Sequence, residues 1–151
     1  MILPDFNDFP RTGRILGIDW GASRTGVAVS DESRKFVFVR PVIVAKSGGI
    51  SIVGQVADIV DKEKVVGIVI GLPIFSDGTE SETTKYVKSF AKELSDYTNL
   101  PIAFIDETLT SLSAQEEMGR VKISDIKGKL DSESARIILE NAIAVINRLK
   151  T

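Results

Sequence analysis

The sequence predicts an α/β fold built on one mixed five-stranded sheet. Three runs rich in Val, Ile and Phe follow one another with short connections over residues 14–44. After them, apolar runs alternate with amphipathic stretches of helical period. Short connections favour antiparallel pairing of the first three strands, and intervening helices favour parallel pairing of the last two. The expected order of elements is therefore βββαβαβαα.

The five strands are predicted from runs of β-branched and aromatic residues. They cover Arg14 to Trp20, Gly26 to Asp31, Phe36 to Val44, Val65 to Pro73 and Pro101 to Asp106. The fourth run is continuously apolar, which is typical of a strand buried on both faces of a sheet.

The helices are predicted from apolar residues spaced three and four apart. The stripe of the first helix, between about Gly49 and Glu63, is Val53, Val56, Ala57 and Val60, and that of the second is Val87, Phe90, Ala91 and Leu94. A shorter helix is expected to begin between Thr110 and Ser113. The C-terminal helix is defined by Ala135, Ile138, Leu139, Ala142, Ile146 and Leu149.

This arrangement matches the RNase H-like fold, with three antiparallel strands, then two parallel ones, and flanking helices. A flavodoxin-like sheet competes, but it needs a helix after the first strand, and none fits between Trp20 and Gly26. The 151 residues suit one domain. We expect residues 1–13 to form a loose N-terminal extension and residues 14–151 a single domain.

Composition excludes several kinds of chemistry. The chain has no cysteine and no histidine, so disulfides, thiolate metal sites and imidazole bases are ruled out. The net charge of −2 gives no overall attraction for nucleic acid, so any phosphate-binding surface must be local. The longest apolar run is far too short to span a bilayer and the start does not resemble a signal peptide, so a cytoplasmic protein without membrane contact is expected.

Carboxylates stand at the ends of two predicted strands. Asp19 ends the first strand, where it could form a simple turn or belong to a site. Asp106 and Glu107 end the fifth strand and point to opposite faces, so only one of them can share a side with Asp19. Strand alternation alone does not decide which one.

A third carboxylate, Asp131, is expected to open the C-terminal helix. Its spacing from Ala135, Ile138 and Ala142 places it on the core-facing side, and it could also serve as the N-cap. Three gathered carboxylates repel one another unless a cation neutralises them. Hard divalent ions bound through oxygen, Mg²⁺ first and Mn²⁺ second, fit such a site and can support phosphodiester hydrolysis.

Four segments, "LGIDWGASRTGVAVSD", "GLPIFSDGTESE", "FIDETLTS" and "LDSESARIILE", resemble in order the motif blocks of the YqgF family, also called RuvX. The resemblance implies an RNase H-like fold and metal-dependent nuclease activity, either on pre-16S rRNA or on Holliday junctions. It assigns the catalytic and metal-binding roles to Asp19, Glu107 and Asp131. The chain departs from the family pattern at Thr108, Ser81 and Ser134, and Thr108 replaces an arginine.

Basic residues indicate where a nucleic acid strand could lie. Arg24 lies close to Asp19 along the chain and could bind a phosphate, although it could equally be an exposed surface arginine. The segment Gly119–Leu130 is expected to be a basic loop leading to Asp131, or an ordinary solvated loop. Its cations are Arg120, Lys122, Lys127 and Lys129. Among aromatic residues only Phe75 is expected near the cleft, so no base-stacking surface is predicted.

The leading hypothesis is a metal-dependent nuclease that trims precursor ribosomal RNA. One alternative is a Holliday junction resolvase acting on branched DNA, which requires a dimer, and a weak homodimer is compatible with the sequence. Another is a nucleic-acid-binding module without turnover, for which Thr108 is the only indication. An actin-like ATPase is disfavoured because 151 residues leave no room for a second domain.

Overall fold

A five-stranded mixed sheet forms the centre of the molecule. The computed structural model describes residues 1–45, 49–109 and 124–149, and the description of side chains leaves out residues 108–109 and 124–132. In chain order the elements are β1 (Ile15–Asp19), β2 (Arg24–Ser30), β3 (Val37–Val44), α1 (Ile52–Glu63), β4 (Gly67–Phe75), α2 (Glu82–Tyr97), β5 (Ile102–Leu109) and α3 (Ser124–Leu149).

The strand order across the sheet is β3-β2-β1-β4-β5. The first three strands pair antiparallel, β4 pairs parallel to β1, and β5 pairs parallel to β4. The predicted mixed sheet is confirmed. The bounds of its strands differ from the predicted ones by a few residues, and β4 begins at Gly67 instead of Val65. Strands β1, β4 and β5 all end at one side of the sheet, which we call the carboxyl edge.

Side chains alternate between two core layers, one on each face of the sheet. Leu16, Ile18 and Ile70 pack beneath α1 and α2, on what we call the α1/α2 face. Ile15 and Val69 pack with α3 on the opposite face, the α3 face. Helix α3 approaches the sheet closely because β1 carries Gly17, where an added Cβ would lie 2.8 Å from Leu139 Cβ.

The prediction that residues 1–13 are loose is wrong. Leu3, Phe6 and Phe9 are buried within the layer that packs with α3. The ring of Phe9 occupies the space above Gly67, where an added Cβ would lie 2.6 Å from Phe9 Cζ. Apolar residues at intervals of three therefore bind the segment to the core.

A buried arginine also holds this segment. The Arg34 guanidinium donates hydrogen bonds to the carbonyl oxygens of Pro10 (2.6 Å), Gly13 (2.8 Å) and Thr12 (3.1 Å). Burial lowers the pKa of Arg34, and the positive charge of Arg11 adds to this effect. The N-terminal segment is thus tied to the connection between β2 and β3.

The C-terminal helix begins earlier than predicted. Helix α3 starts at Ser124, so Asp131 lies inside the helix, and the expectation that Asp131 opens it as the N-cap is wrong. The expectation of a loop over Gly119–Leu130 is wrong from Ser124 onward. A single Gly128 costs only about 1 kcal/mol in a helix, so it does not end one. The short helix predicted to start between Thr110 and Ser113 lies outside the described residues.

The described part of the chain contains no helix that combines the length and the apolar character needed to cross a membrane.

Candidate active site at the carboxyl edge of the sheet

Two carboxylates, those of Asp19 and Glu107, share the α3 face at the carboxyl edge. Asp19 follows Ile15 and Gly17 in the alternation of β1, and Ile15 belongs to the layer under α3. Glu107 follows Ala103 and Ile105 in β5, which belong to the same layer. Both acidic residues are half-buried.

Asp106 is placed differently from its neighbour. It alternates with Ile102 and Phe104, which pack in the layer under α1 and α2, and it is exposed. The structure therefore brings Glu107, rather than Asp106, to the face that carries Asp19.

Strand β4 separates these two carboxylates, and Gly71 leaves room between them. The pairing of Ile18 with Ile70 places Gly71 level with Asp19 on the adjacent strand. A Cβ added at Gly71 would lie 3.0 Å from Glu107 Cδ and 3.1 Å from Glu107 Oε2. The Glu107 carboxylate thus lies over β4, towards β1, where neighbouring strands are about 4.8 Å apart.

Asp131 approaches the same edge along α3. Its backbone lies one helical turn before Ala135, whose carbonyl oxygen is 3.0 Å from a Cβ added at Gly17. Farther along, the Ile146 carbonyl accepts a hydrogen bond from Arg11 at the opposite edge. The N-terminal part of α3 therefore lies towards the carboxyl edge. The description of side chains does not include Asp131.

The described donors fit a hard divalent cation in type. Asp19 and Glu107 supply carboxylate oxygens, the ligands that Mg²⁺ and Mn²⁺ prefer. Among the described side chains no group of three acidic, histidine or cysteine residues is close enough to hold a metal. A third carboxylate at this edge would have to come from Asp131.

The turn between β1 and β2 holds Arg24 beside this edge. A Cβ added at Gly21 would lie 2.2 Å from the Arg24 carbonyl oxygen, so only glycine fits this turn. Arg24 is half-buried and begins β2 opposite the end of β1. Lys127 and Lys129 lie on α3, whereas Arg120 and Lys122 are outside the described residues.

An aromatic pair at the same edge was missed in the sequence. Trp20 directly follows Asp19, and its ring stacks on that of Tyr86 with centroids 6.0 Å apart and an interplanar angle of 22°. Tyr86 belongs to the second turn of α2, a helix that starts at the carboxyl edge. The position of Trp20 next to Asp19 in the sequence could have pointed to an aromatic residue at this edge. Its stacking partner Tyr86 could not be found in this way, because it comes from a distant helix.

The loop between β4 and α2 carries an ionised carboxylate. Hydrogen bonds donated by the hydroxyl and the backbone N–H of Thr79 lower the pKa of Asp77. Asp77 is exposed, so its charge faces solvent beside the site.

Comparison with known proteins identifies relatives along most of the chain. The family model RuvX, described as Holliday junction resolvase, matches residues 13–144. A protein of Maridesulfovibrio salexigens named "Putative pre-16S rRNA nuclease" is 38% identical over 133 residues, covering 87% of this chain and 98% of its own. A protein of Rickettsia canadensis with the same name is 33% identical, covering 98% of this chain and 99% of its own.

The solved structure of Thermus thermophilus RuvC in complex with a Holliday junction substrate has a similar fold. It superposes with a TM-score of 0.55 at 14% sequence identity, covering 92% of this chain and 97% of that chain. This likeness concerns the fold, and it agrees with the predicted RNase H-like arrangement.

Proposed function

Since the chain belongs to the RuvX family, we propose that it is a metal-dependent nuclease that hydrolyses phosphodiester bonds. The names of its relatives support precursor 16S ribosomal RNA as the substrate. Such processing would place the protein in the cytoplasm.

The observation that carries this proposal is the position of the Glu107 carboxylate. This carboxylate lies over Gly71 on the α3 face. Gly71 itself is level with Asp19, the last residue of β1. Two half-buried carboxylates on one face of this edge both attract a cation, and a bound cation offsets the repulsion between them. A divalent metal at this edge would be attracted by both acids.

We assign the metal-binding and catalytic roles to Asp19, Glu107 and Asp131. A bound Mg²⁺ or Mn²⁺ would supply activation of water and stabilisation of the leaving oxygen. The guanidinium of Arg24 would hold the phosphate by paired hydrogen bonds. Arg120, Lys122, Lys127 and Lys129 would add affinity for the nucleic acid backbone, which depends on salt.

A cleavage assay tests the proposal. Labelled precursor RNA and branched DNA are incubated with the protein in Mg²⁺, Mn²⁺ or EDTA. We expect cleavage only with a metal, and a loss of about 100-fold or more in Asp19→Asn and Glu107→Gln, because each removes a charged ligand. Asp106→Asn is the matched control, since its exposed carboxylate lies next in sequence but on the other face.

Three outcomes would contradict this assignment. Cleavage in EDTA would reject metal dependence, and equal losses in Asp106→Asn and Glu107→Gln would reject the selection of Glu107. Tight RNA binding without cleavage in any metal would favour a non-catalytic binding module.

A second candidate function is Holliday junction resolution, which the description of the matching family favours. It requires two active sites related by symmetry, and hence a dimer. Paired symmetrical cuts in a four-way junction and a dimeric mass in solution would support it. Cleavage of RNA by a strictly monomeric chain would support the rRNA nuclease instead.

A further inference from the structure

The stacked rings of Trp20 and Tyr86 form a surface that the assigned residues do not use. Trp20 is half-buried and packs against the core layer under α1 and α2. Tyr86 stacks on it in nearly parallel orientation, with 22° between the ring planes, and remains 60% exposed. The core thus supports Trp20, Trp20 supports Tyr86, and the tyrosine ring remains largely open to solvent.

The pair lies at the same edge as the proposed reaction centre but on the α1/α2 face, since Trp20 packs in the layer under α1 and α2. The Cα atoms of Asp19 and Trp20 are about 3.8 Å apart because the residues are consecutive. Helix α2 starts at the carboxyl edge, where the Thr84 hydroxyl donates a hydrogen bond to the Pro73 carbonyl oxygen of β4. This contact fixes the first turn of α2, directly before Tyr86. A strand whose phosphate reaches Asp19 and that continues across the carboxyl edge to the α1/α2 face would bring a neighbouring nucleotide to the Tyr86 ring.

The chemistry of this surface suits a nucleobase. A flat, exposed aromatic ring with rigid support stacks on any base, because every base has a π-face. The exposed Lys85 neighbours Tyr86 and adds positive charge for the backbone of the same strand. A base inside an intact duplex is already stacked on both sides and cannot occupy the surface, whereas an unpaired base can.

We propose that Tyr86, supported by Trp20, is a stacking site for an unpaired nucleobase of a strand that crosses the carboxyl edge from the phosphate at Asp19. This rests on the proposed nuclease function and adds a substrate class, namely nucleic acid that is single-stranded or locally unpaired at the cleavage site. The site is tolerant of sequence, since stacking does not read the edges of bases.

Affinity for a short labelled single-stranded RNA, measured by anisotropy in EDTA, tests the site. We expect Tyr86→Ala to bind about 5- to 150-fold more weakly, the range found for loss of one base–aromatic stack. Tyr86→Phe keeps the ring and should bind as the wild type does. Tyr97→Ala is the matched control, because Tyr97 lies at the other end of α2 and is 67% exposed.

Two further readouts separate stacking from a general surface effect. Trp20 is the sole tryptophan of the chain, so its fluorescence should change as RNA binds. In a set of RNAs that each carry one abasic nucleotide at a different position, one position should weaken binding more than the others. Tyr86→Ala should bind all of these RNAs with equal affinity. The slope of affinity against salt should be the same in both proteins, because no cation is removed.

Cleavage by the wild-type chain in Mg²⁺ is recorded in parallel. Cleavage together with equal RNA affinity of Tyr86→Ala and the wild type would overturn the stacking site and leave the nuclease function intact. Weakened binding by Tyr86→Ala without cleavage in any metal would support the stacking site and overturn the nuclease function. Absence of RNA binding by the wild-type chain would overturn the stacking site.

Discussion

At the scale of single residues, the missing side chain of Gly71 matters as much as the carboxylates. Gly71 lies in the buried strand β4, between the strands that carry Asp19 and Glu107. The Glu107 carboxylate and Ile138 Cδ1 both occupy the space above Gly71. A Cβ added at Gly71 would lie 2.5 Å from Ile138 Cδ1. The residue thus sets both the position of Glu107 and the contact with α3.

We predict that Gly71→Ala lowers both stability and activity. Its methyl group must displace Ile138 or Glu107, and overpacking of this kind costs about 1–3 kcal/mol. Urea denaturation measures the loss of stability, and the RNA cleavage assay at a temperature where the variant is folded measures the loss of activity. Unchanged activity in a folded Gly71→Ala would show that the position of Glu107 is not critical.

Sequence reasoning reached the acidic residues but could not choose between Asp106 and Glu107 by alternation. The choice requires knowing which face of β5 meets α3, and that depends on packing between distant segments. Family resemblance favoured Glu107, and the layer formed by Ala103 and Ile105 places it on the α3 face. The pairing of Trp20 with Tyr86 was missed because no local pattern relates two residues 66 positions apart.

At the scale of elements, the start of α2 explains one departure from the family pattern. Ser81 is the N-cap of α2, and its hydroxyl accepts a hydrogen bond from the Thr84 backbone N–H at 3.1 Å. The Thr84 hydroxyl accepts one from the Ser81 backbone N–H at 2.9 Å, which completes a capping box. The serine therefore stabilises the helix that carries Tyr86.

We predict that Ser81→Ala lowers the free energy of unfolding by about 1 kcal/mol, the usual cost of losing a cap. Ser81→Gly restores the residue common in the family and should cost only a few tenths of a kcal/mol. Urea denaturation of both variants, with the exposed Ser76→Ala as the control, measures the difference. An equal effect of alanine and glycine would contradict the capping role.

The extent of α3 shows where local patterns fail. Its apolar stripe was recognised from Ala135 onward, and the buried Ala135, Ile138 and Leu139 agree with it. The preceding turns contain Gly128 and lack an apolar stripe, so the sequence predicts a loop there. Helix α3 nevertheless includes Ser124–Leu130, since a helix continues through polar residues without any breaker stronger than one glycine.

At the scale of the whole molecule, the N-terminal segment completes the core beneath α3. The antiparallel pairing of the first three strands and the parallel pairing of the last two could be predicted, because short connections and helical spacing restrict the topology. The packing of residues 1–13 against the core could not be predicted, because it depends on Arg34 and on the space above Gly67. Both residues are distant from this segment in the sequence. The segment lies at the edge opposite to Asp19 and Glu107, so its role is in stability.

We predict that Arg34→Lys loosens this segment. A lysine keeps the charge but lacks the planar guanidinium that serves three carbonyl oxygens, and losing one such hydrogen bond costs about 1.5–3 kcal/mol. Urea denaturation and the rate of proteolysis within residues 1–13 measure the effect. The exposed Lys35→Ala is the control. Equal proteolysis of Arg34→Lys and the wild type would show that Arg34 does not hold the segment.

The central claim is that acids from distant parts of the chain share one divalent cation at the carboxyl edge. Crystals soaked in Mn²⁺ and measured for anomalous scattering test it most directly. The account predicts strong anomalous density within coordination distance of Asp19, Glu107 and Asp131. A peak elsewhere, or none at saturating Mn²⁺, would contradict it.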